Sequence, residues 1–451
     1  RYTTLGMAAD QGKTSNVTGL ALMAEARKAG IAEVGSTRFR PPFAPVSLGA
    51  LAGHETGRHF APLRRSPIES WHRAHGGAMT MAGLWERPRA YLHEGESVTE
   101  AYVREATAVR EHVGIVDVST LGKIDVQGPD AAEFLDRVYS NGFARLPVGK
   151  ARYGLMLRED GIVFDDGTTW RLSETQFLMT TTTANAGPVL AHLEQCLDVL
   201  WPDLRVALAS VSDQWAGVAV AGPKSRDLLK WMIESIDFTN ESFPFMGVRR
   251  GTLDGEEVLV ARLSFSGEMA YEVYIGTHFG LHLWERLLSA GRLLGVVPYG
   301  VEALGTLRIE KGHVAGGELD GRTTVDDLGL GRMVSTKKDF IGSRMTNRPG
   351  LTHDKRLQLV GVRSLNDRPF RIGSHIVTEE FPAEPAESLG HITAYTWSPA
   401  IKAHIGLALV ENGRDRIGQM LYATNPLKAE HGPVKLVDPC FFDKEGSRMH
   451  G

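Results

Sequence analysis

A chain of 451 residues is too long for one compact core, and its 42% hydrophobic and 23% charged residues are ordinary for a soluble globular protein. Its 50 Lys and Arg nearly cancel its 54 Asp and Glu, which excludes whole-chain attraction to nucleic acid or to an anionic membrane. With no run of 18 apolar residues and no charged-then-apolar leader, the expectation is a cytoplasmic protein of two to four domains.

The first residue is Arg1 rather than Met, so the sequence reads as either a fragment or a processed product. Gly6 to Thr14 imitates a phosphate-binding loop, but Met7 stands where that motif needs its first glycine, so no nucleotide site is expected. Without a leader, the sequons at Asn16 and Asn240 read as chance matches. Val17 to Lys28 has helical spacing closed by Gly30. Residues 35 to 67 hold five prolines with Arg38, Arg40, Arg64 and Arg65, and read either as an extended arm or as a plain linker. Residues 1–65 are therefore expected to be the end of a preceding domain and its connection.

Ser97-Val-Thr-Glu100 is a capping box, and Val98, Tyr102, Ala106, Val109 and Val113 continue it at helical spacing to Gly114. His72 and His75 lack a second pair of metal ligands nearby and read as core or surface histidines. An internal repeat follows: Lys123 to Leu135 is echoed by Gly217 to Leu229, each a strand, a Gly-Pro and an apolar helix face. Two similar halves, 66–203 and 204–345, are the economical reading of an α+β fold, with a ligand crevice where they meet. The strands that carry candidate acids fall, on this reading, in corresponding parts of the repeat.

The first acid lies in Tyr153 to Gly167, two short strands, Tyr153–Leu157 and Ile162–Phe164, joined by a polar turn and ending in Asp165-Asp166. Alternation puts the two carboxylates on opposite faces and Asp166 on the face of Ile162 and Phe164. Such a residue is either a turn acid reaching water or a half-buried acid held for chemistry. The second acid is Glu272, which shares a strand face with Tyr274. An ionised carboxylate accepts two parallel hydrogen bonds and so matches a flat heterocycle with an amino group beside a ring N–H, such as a pterin; the alternative is a solvent-facing strand Glu. There is no intact Gly-x-Gly-x-x-Gly, no nucleophile elbow and no metal-ligand cluster in the sequence, which argues against a dinucleotide fold or a metal site here. Cys196 and Cys440, far apart, read as buried thiols in a reducing compartment. From residue 355, six short apolar runs between Leu357 and Val437 predict a small β-barrel over 355–445.

Taken in order, His75 to Met79 with Trp85, Val116-Asp-Val-Ser119 before Gly122, Gly128-Pro-Asp130, Gly161 to Asp166, Ser266-Gly-Glu268 through Glu272, and Leu307 to Glu310 resemble the folate-dependent aminomethyltransferase family, founded by the T-protein of the glycine cleavage system. Tyr2 to Thr14, Thr37 to Pro42 and Phe164 to Trp170 further resemble the C-terminal part of the α subunits of heterotetrameric sarcosine oxidases. The resemblance implies two repeat-related halves (66–345) forming a tetrahydrofolate pocket, with the barrel beside them. It implies Asp166 as the catalytic acid and Tyr153, Asp166, Phe265, Glu272 and Tyr274 as folate-binding residues. Phe265, Leu304 and Phe441-Phe-Asp443 depart from the T-protein pattern, where Tyr, Arg and a Phe-Tyr-Arg ending stand. The implied activity is capture, on tetrahydrofolate, of the one-carbon unit from oxidised sarcosine, giving 5,10-methylenetetrahydrofolate and glycine. Flavin and NAD are expected elsewhere in the complex, on flavin-bearing and smaller partner subunits. A free-standing lipoyl-dependent aminomethyltransferase and a non-catalytic folate-binding or assembly module are the alternatives.

Overall fold

The computed structural model describes residues 24–30, 63–380 and 387–451. The chain divides into Arg1–Leu63 and Arg64–Gly451. Of the first unit only the helical turn at residues 24–27, its exit to Gly30 and Leu63 are described; the Gly6–Thr14 segment, the start of the Val17–Lys28 helix and the proline-rich stretch as far as residue 62 lie outside the described residues. The remainder of this account concerns the second unit.

It opens with α1 (Glu69–Ala74) and the hairpin β1 (Gly77–Ala82) and β2 (Trp85–Tyr91). The capping box then starts α2 (Val98–Glu111): Ser97 accepts from the Glu100 amide, and the Glu100 carboxylate accepts from the Ser97 amide at 2.9 Å. The helix stops at Glu111, short of the Gly114 expected from spacing. His112, with φ −132° and ψ −108°, leaves the helical region, and Val113 and Gly114 begin a buried strand, β3 (Val113–Asp117).

The repeat is present as β4 (Gly122–Gln127) with α3 (Ala131–Val138), and β9 (Trp215–Ala221) with α5 (Ser225–Met232). The glycine between strand and helix is required in both copies. Gly128 has φ +144° and Gly222 φ +127°, and a Cβ would fall 2.0 Å from the Arg205 carbonyl oxygen or 2.5 Å from that of His112. After α3 come β5 (Lys150–Leu157), β6 (Val163–Arg171), β7 (Gln176–Thr181), α4 (Ala186–Gln195) and β8 (Ala207–Ser210). After α5 come β10 (Val248–Leu253), β11 (Glu256–Ala261), β12 (Ala270–Gly276), α6 (Gly280–Ala290), β13 (Val296–Pro298) and α7 (Val301–Lys311).

The first sheet has the order β5-β6-β7-β4-β8 and the second β10-β11-β12-β9-β3-β13. Two features differ from the sequence-based expectation. The sheets cross the 203/204 division, because β3 pairs with β9 in the second sheet and β8 with β4 in the first. The acid-bearing strands are also not equivalent: in matched order β6, with Asp166, corresponds to β11, whereas β12, with Glu272, corresponds to β7. Alternation along a strand identifies a face but not a strand's rank in its sheet.

Apolar layers follow from the alternation. The outer face of the second sheet packs Val218, Val220, Val273 and Ile275 against Leu228 and Leu229 of α5 and Leu283 and Leu287 of α6. The outer face of the first sheet packs Ile124, Val126, Phe177 and Met179 against α3 and α4. Between the sheets lies a third layer, where Trp170 and Leu178 meet Leu259, Ala261 and Tyr274, closed by Ala106 and Val109 of α2 and Ala303 and Leu307 of α7. Main-chain bonds between Ala151 and Met246, and between Val248 and Gly149, stitch β5 to the margin of β10 at 2.8 Å each.

The six C-terminal runs form β14 (Leu357–Ser364), β15 (His375–Val377), β16 (Gly390–Ser398), β17 (Ala403–Glu411), β18 (Met420–Asn425) and β19 (Glu430–Val437), a closed barrel in the order β14-β17-β16-β15-β18-β19. Its outer face shares a core with the β5/β6 hairpin, where Leu155, Leu157 and Val163 meet Leu359, Ile405 and Leu407. Among the described residues no helix is long and apolar enough to cross a membrane.

Candidate functional site

Asp165 and Asp166 sit inside β6, not at its end. The register explains which way each points. Leu157 opposes Val163 and Met156 opposes Asp165, so Phe164 is the extra residue of a β-bulge. The bulge shifts the alternation by one. Phe164 turns toward α4, its ring 5.2 Å from that of His192, and Asp165 turns the same way, whereas Asp166 joins Tyr153 and Leu155 on the opposite face. Asp166 therefore does not share the Phe164 face, as plain alternation had it.

The neighbours have different surroundings. Asp165 is 1% exposed and accepts bonds from the Thr182 amide (3.2 Å), the Thr182 hydroxyl (2.7 Å) and the Asn185 amide nitrogen (3.1 Å). Its ligands are those of an acid that fixes a loop. Asp166 keeps some solvent contact and accepts one side-chain bond, from the Tyr153 hydroxyl to Oδ2 at 2.8 Å. Among the described residues no basic side chain is within ion-pair distance of either carboxylate. Burial, then the charge of Asp165, push Asp166 up to about 7, against the pull of the Tyr153 bond; the buried Glu318 carboxylate adds to the rise. Burial raises Asp165 as well.

On β12, Ala270, Glu272 and Tyr274 face the inter-sheet layer while Tyr271, Val273 and Ile275 face the α5/α6 side. The Tyr274 hydroxyl donates to Glu272 Oε2 at 2.9 Å, and burial raises the Glu272 carboxyl, opposed by that bond and by the Lys123 ammonium. Tyr274 stacks on Trp170 of β6, with centroids 4.8 Å apart and planes at 22°. Trp170 and Asp166 share a strand face four residues apart, about 13 Å at the usual strand rise. The two acids thus stand at opposite ends of an aromatic bridge, each half-buried, each with a tyrosine hydroxyl on one oxygen.

Four of the five predicted residues form two pairs, Tyr153–Asp166 and Glu272–Tyr274. Phe265 joins neither: it lies in the β11–β12 loop, 41% exposed, stacked on His313 at 5.8 Å with its carbonyl 3.0 Å from His313 Nδ1. Sequence reasoning missed Trp170, Asn141, Glu318 and Lys123. Asn141 donates to the Tyr153 carbonyl at 2.8 Å and leaves its own buried Oδ1 without a partner. Glu318 is fixed by Arg308 (2.7 Å) and by Thr393 of β16 (2.6 Å), tying the site's acid side to the barrel. The signal available for Lys123 was the repeat, which aligns it with Gly217, the residue paired with Tyr274. A cleft of about 1000 Å³ lined by Gly161, Lys338, Arg344 and Arg356, among others, contains none of the predicted residues.

Comparison with known proteins supplies context for this geometry. Residues 68–338 match the GCVT N-terminal domain, 358–443 the glycine cleavage T-protein C-terminal barrel domain, and 1–54 the sarcosine oxidase A3 domain. The sarcosine oxidase subunit alpha of Rhizobium meliloti (strain 1021) is 49% identical over 455 residues, 100% of this chain and 46% of that protein. The chain spans about half the length of such curated relatives. The aminomethyltransferase of Streptomyces coelicolor is 30% identical over 394 residues, 85% of this chain and 98% of that protein. The crystal structure of glycine cleavage system aminomethyltransferase T from Bartonella henselae superposes with a TM-score of 0.73 at 22% identity, over 85% of this chain and 99% of that one, and shares the fold.

Proposed function

Because the chain belongs to the glycine cleavage T-protein (GCVT) family of aminomethyltransferases, we propose that its inter-sheet layer binds tetrahydrofolate and captures a one-carbon unit on it. As part of a sarcosine oxidase α subunit, a role supported by the full-chain likeness to such subunits, it takes that unit from oxidised sarcosine in the cytoplasm and yields glycine and 5,10-methylenetetrahydrofolate. Flavin-bearing and smaller subunits perform the oxidation, with flavin and NAD held outside this chain.

The observation that carries the reading is the pair of half-buried, tyrosine-bonded acids on two facing sheets, bridged by Trp170 and Tyr274. The donor set fits the ligand. Glu272, with one oxygen steadied by Tyr274, accepts the paired amino and ring N–H donors of a pterin edge, and Asn141, bonded to the Tyr153 carbonyl, offers one more acceptor in its orphan Oδ1. Bound tetrahydrofolate supplies the nitrogen nucleophiles, so the chain needs no nucleophilic side chain of its own. Tyr153 holds Oδ2 of Asp166 and leaves Oδ1 to take or return a proton. With its carboxyl raised to about 7, Asp166 does either near neutrality, a contribution of typically 10²–10⁴-fold in rate.

Calorimetric titration with tetrahydrofolate tests the binding half: Glu272→Gln should raise Kd at least about tenfold, since a charge-assisted bond is worth about 1.5–3 kcal/mol. An unaltered Kd rejects the pterin contact. Asp166→Asn should leave Kd within about threefold but lower methylenetetrahydrofolate yield in the assembled complex about a hundredfold; an unaltered yield rejects the proton-transfer role.

A further inference from the structure

Lys123, the second residue of β4, has its side chain in the inter-sheet layer, 0% exposed. A buried ammonium needs compensation, and here no carboxylate among the described residues lies within ion-pair distance. Instead Nζ donates to the Ser119 and Leu121 carbonyls at 2.8 and 3.0 Å and stands 5.2 Å from the centre of the Tyr274 ring. That ring is the one whose hydroxyl holds Glu272, and it is pinned by stacking on Trp170. The repeat partner of Lys123, Gly217, abuts the same ring: a Cβ there would lie 2.4 Å from Tyr274 Cε1. Both copies of the repeated strand thus shape the seat of one tyrosine, one by absence of a side chain and one by a cation.

We propose that Lys123 is a positioning residue for the ligand-binding acid: its buried ammonium behind Tyr274 favours the carboxylate form of Glu272, in which both oxygens accept from a ligand edge bearing two adjacent donors. The inference rests on the folate reading above. Removing a charge that no oxygen of Glu272 touches acts through space, so its signature is electrostatic rather than steric. The other groups in the field are accounted for. Glu272 faces Tyr274 and Tyr299 besides Lys123; Lys123 faces Asp117, which is held by Ser66, His72 and the Ser119 amide, and the exposed Asp213–Arg64 pair. Of these Lys123 is the cation acting on Glu272, and burial pulls its own titration down to about 8, so it remains charged at pH 7.

The test is the pH dependence of tetrahydrofolate Kd for the whole chain, from pH 5.5 to 8.5, in wild type, Lys123→Gln, Lys123→Arg, Glu272→Gln and the Lys123→Gln/Glu272→Gln double variant. Gln keeps a donor for the two carbonyls; Lys123→Met is the fallback if Gln does not fold. In the wild type, affinity falls as pH drops through the raised Glu272 titration. Lys123→Gln should move that midpoint up by about one pH unit, weakening binding about tenfold at pH values below the wild-type midpoint and less at pH 7, as expected for loss of a through-space charge at an effective dielectric of about 20. Lys123→Arg should stay within about threefold of wild type. In the Glu272→Gln background the Lys123 change should alter Kd less than about twofold. An unshifted midpoint in a folded Lys123→Gln or Lys123→Met protein overturns the proposal, as does an equal loss in the Glu272→Gln background, which marks a structural role. If Glu272→Gln itself leaves Kd unaltered, it is the pterin reading that fails, and this inference falls with it.

Discussion

Replacing Asp166 by Asn should make the protein more stable, and increasingly so toward alkaline pH. The folded carboxyl titrates at about 7 against 3.8 for an ordinary Asp. Folded Asp166 therefore binds its proton more tightly than the unfolded chain does, folding takes up a proton between about pH 4 and pH 7, and the stability this group contributes is lost as pH rises through that window. At 1.36 kcal/mol per unit, ionisation costs the fold about 1.6 kcal/mol at pH 5 and about 4 kcal/mol at pH 8. Asn is uncharged at both, and its carbonyl still accepts from Tyr153. Urea denaturation followed by tryptophan fluorescence should thus show the Asn variant gaining on wild type by about 2–3 kcal/mol between pH 5 and pH 8. A stability difference that does not change with pH refutes the reasoning, because it means that Asp166 is not strained by burial. A gain in stability bought by a loss of yield is the trade expected of a residue held for chemistry.

Asp165→Asn removes the charge next to Asp166 and should lower the Asp166 titration toward the ordinary carboxylate range; the pH profile of methylenetetrahydrofolate yield in the assembled complex reads the shift. Gly217→Ala places a methyl group 2.4 Å from the rigid Tyr274 ring and should cost about 1–3 kcal/mol in stability while weakening tetrahydrofolate binding, both measurable on one preparation. Arg110 bridges Glu268 and Glu310 at 2.7 and 2.5 Å with all three side chains buried; Glu268 also pairs with Arg448, but Arg110→Met leaves the Glu310 carboxylate with only the Ser398 hydroxyl and should destabilise by about 3–5 kcal/mol in urea denaturation.

What the sequence made legible was local or periodic. The Ser97–Glu100 capping box announces its helix because both partners lie within one turn. The six runs after residue 355 announce a barrel because each alternates between punctuating turns. The Lys123/Gly217 repeat is visible because the glycine that ends each strand has no substitute at its positive φ. What stayed hidden depended on partners far along the chain. The bulge at Phe164 reverses the faces of Phe164 and Asp166, and only the register against Met156 and Leu157 reveals it. Val113 completes a helical spacing and yet starts a strand, since it pairs with Val296 of β13 while the residues after it pair with β9. Asp166 is picked out by the family likeness and by the second acid-bearing strand, not by alternation alone. Its neighbour Asp165 spends its bonds on Thr182 and Asn185, contacts between residues about 20 positions apart that no spacing rule encodes.

The placement of β3 has a consequence for synthesis. Its strand neighbours are residues 215–221 and 296–298, so it leaves the ribosome roughly a hundred residues before the first of them. At about 5–20 residues per second, that strand waits some 5–20 s with its main-chain amides and carbonyls unmatched. The segment Val-Gly-Ile-Val is short, apolar and uncharged, the kind that recruits a wrong partner when exposed. Pairing with β9 and β13 is what hides it, so the segment is covered only once residues 215–221 and 296–298 have been made.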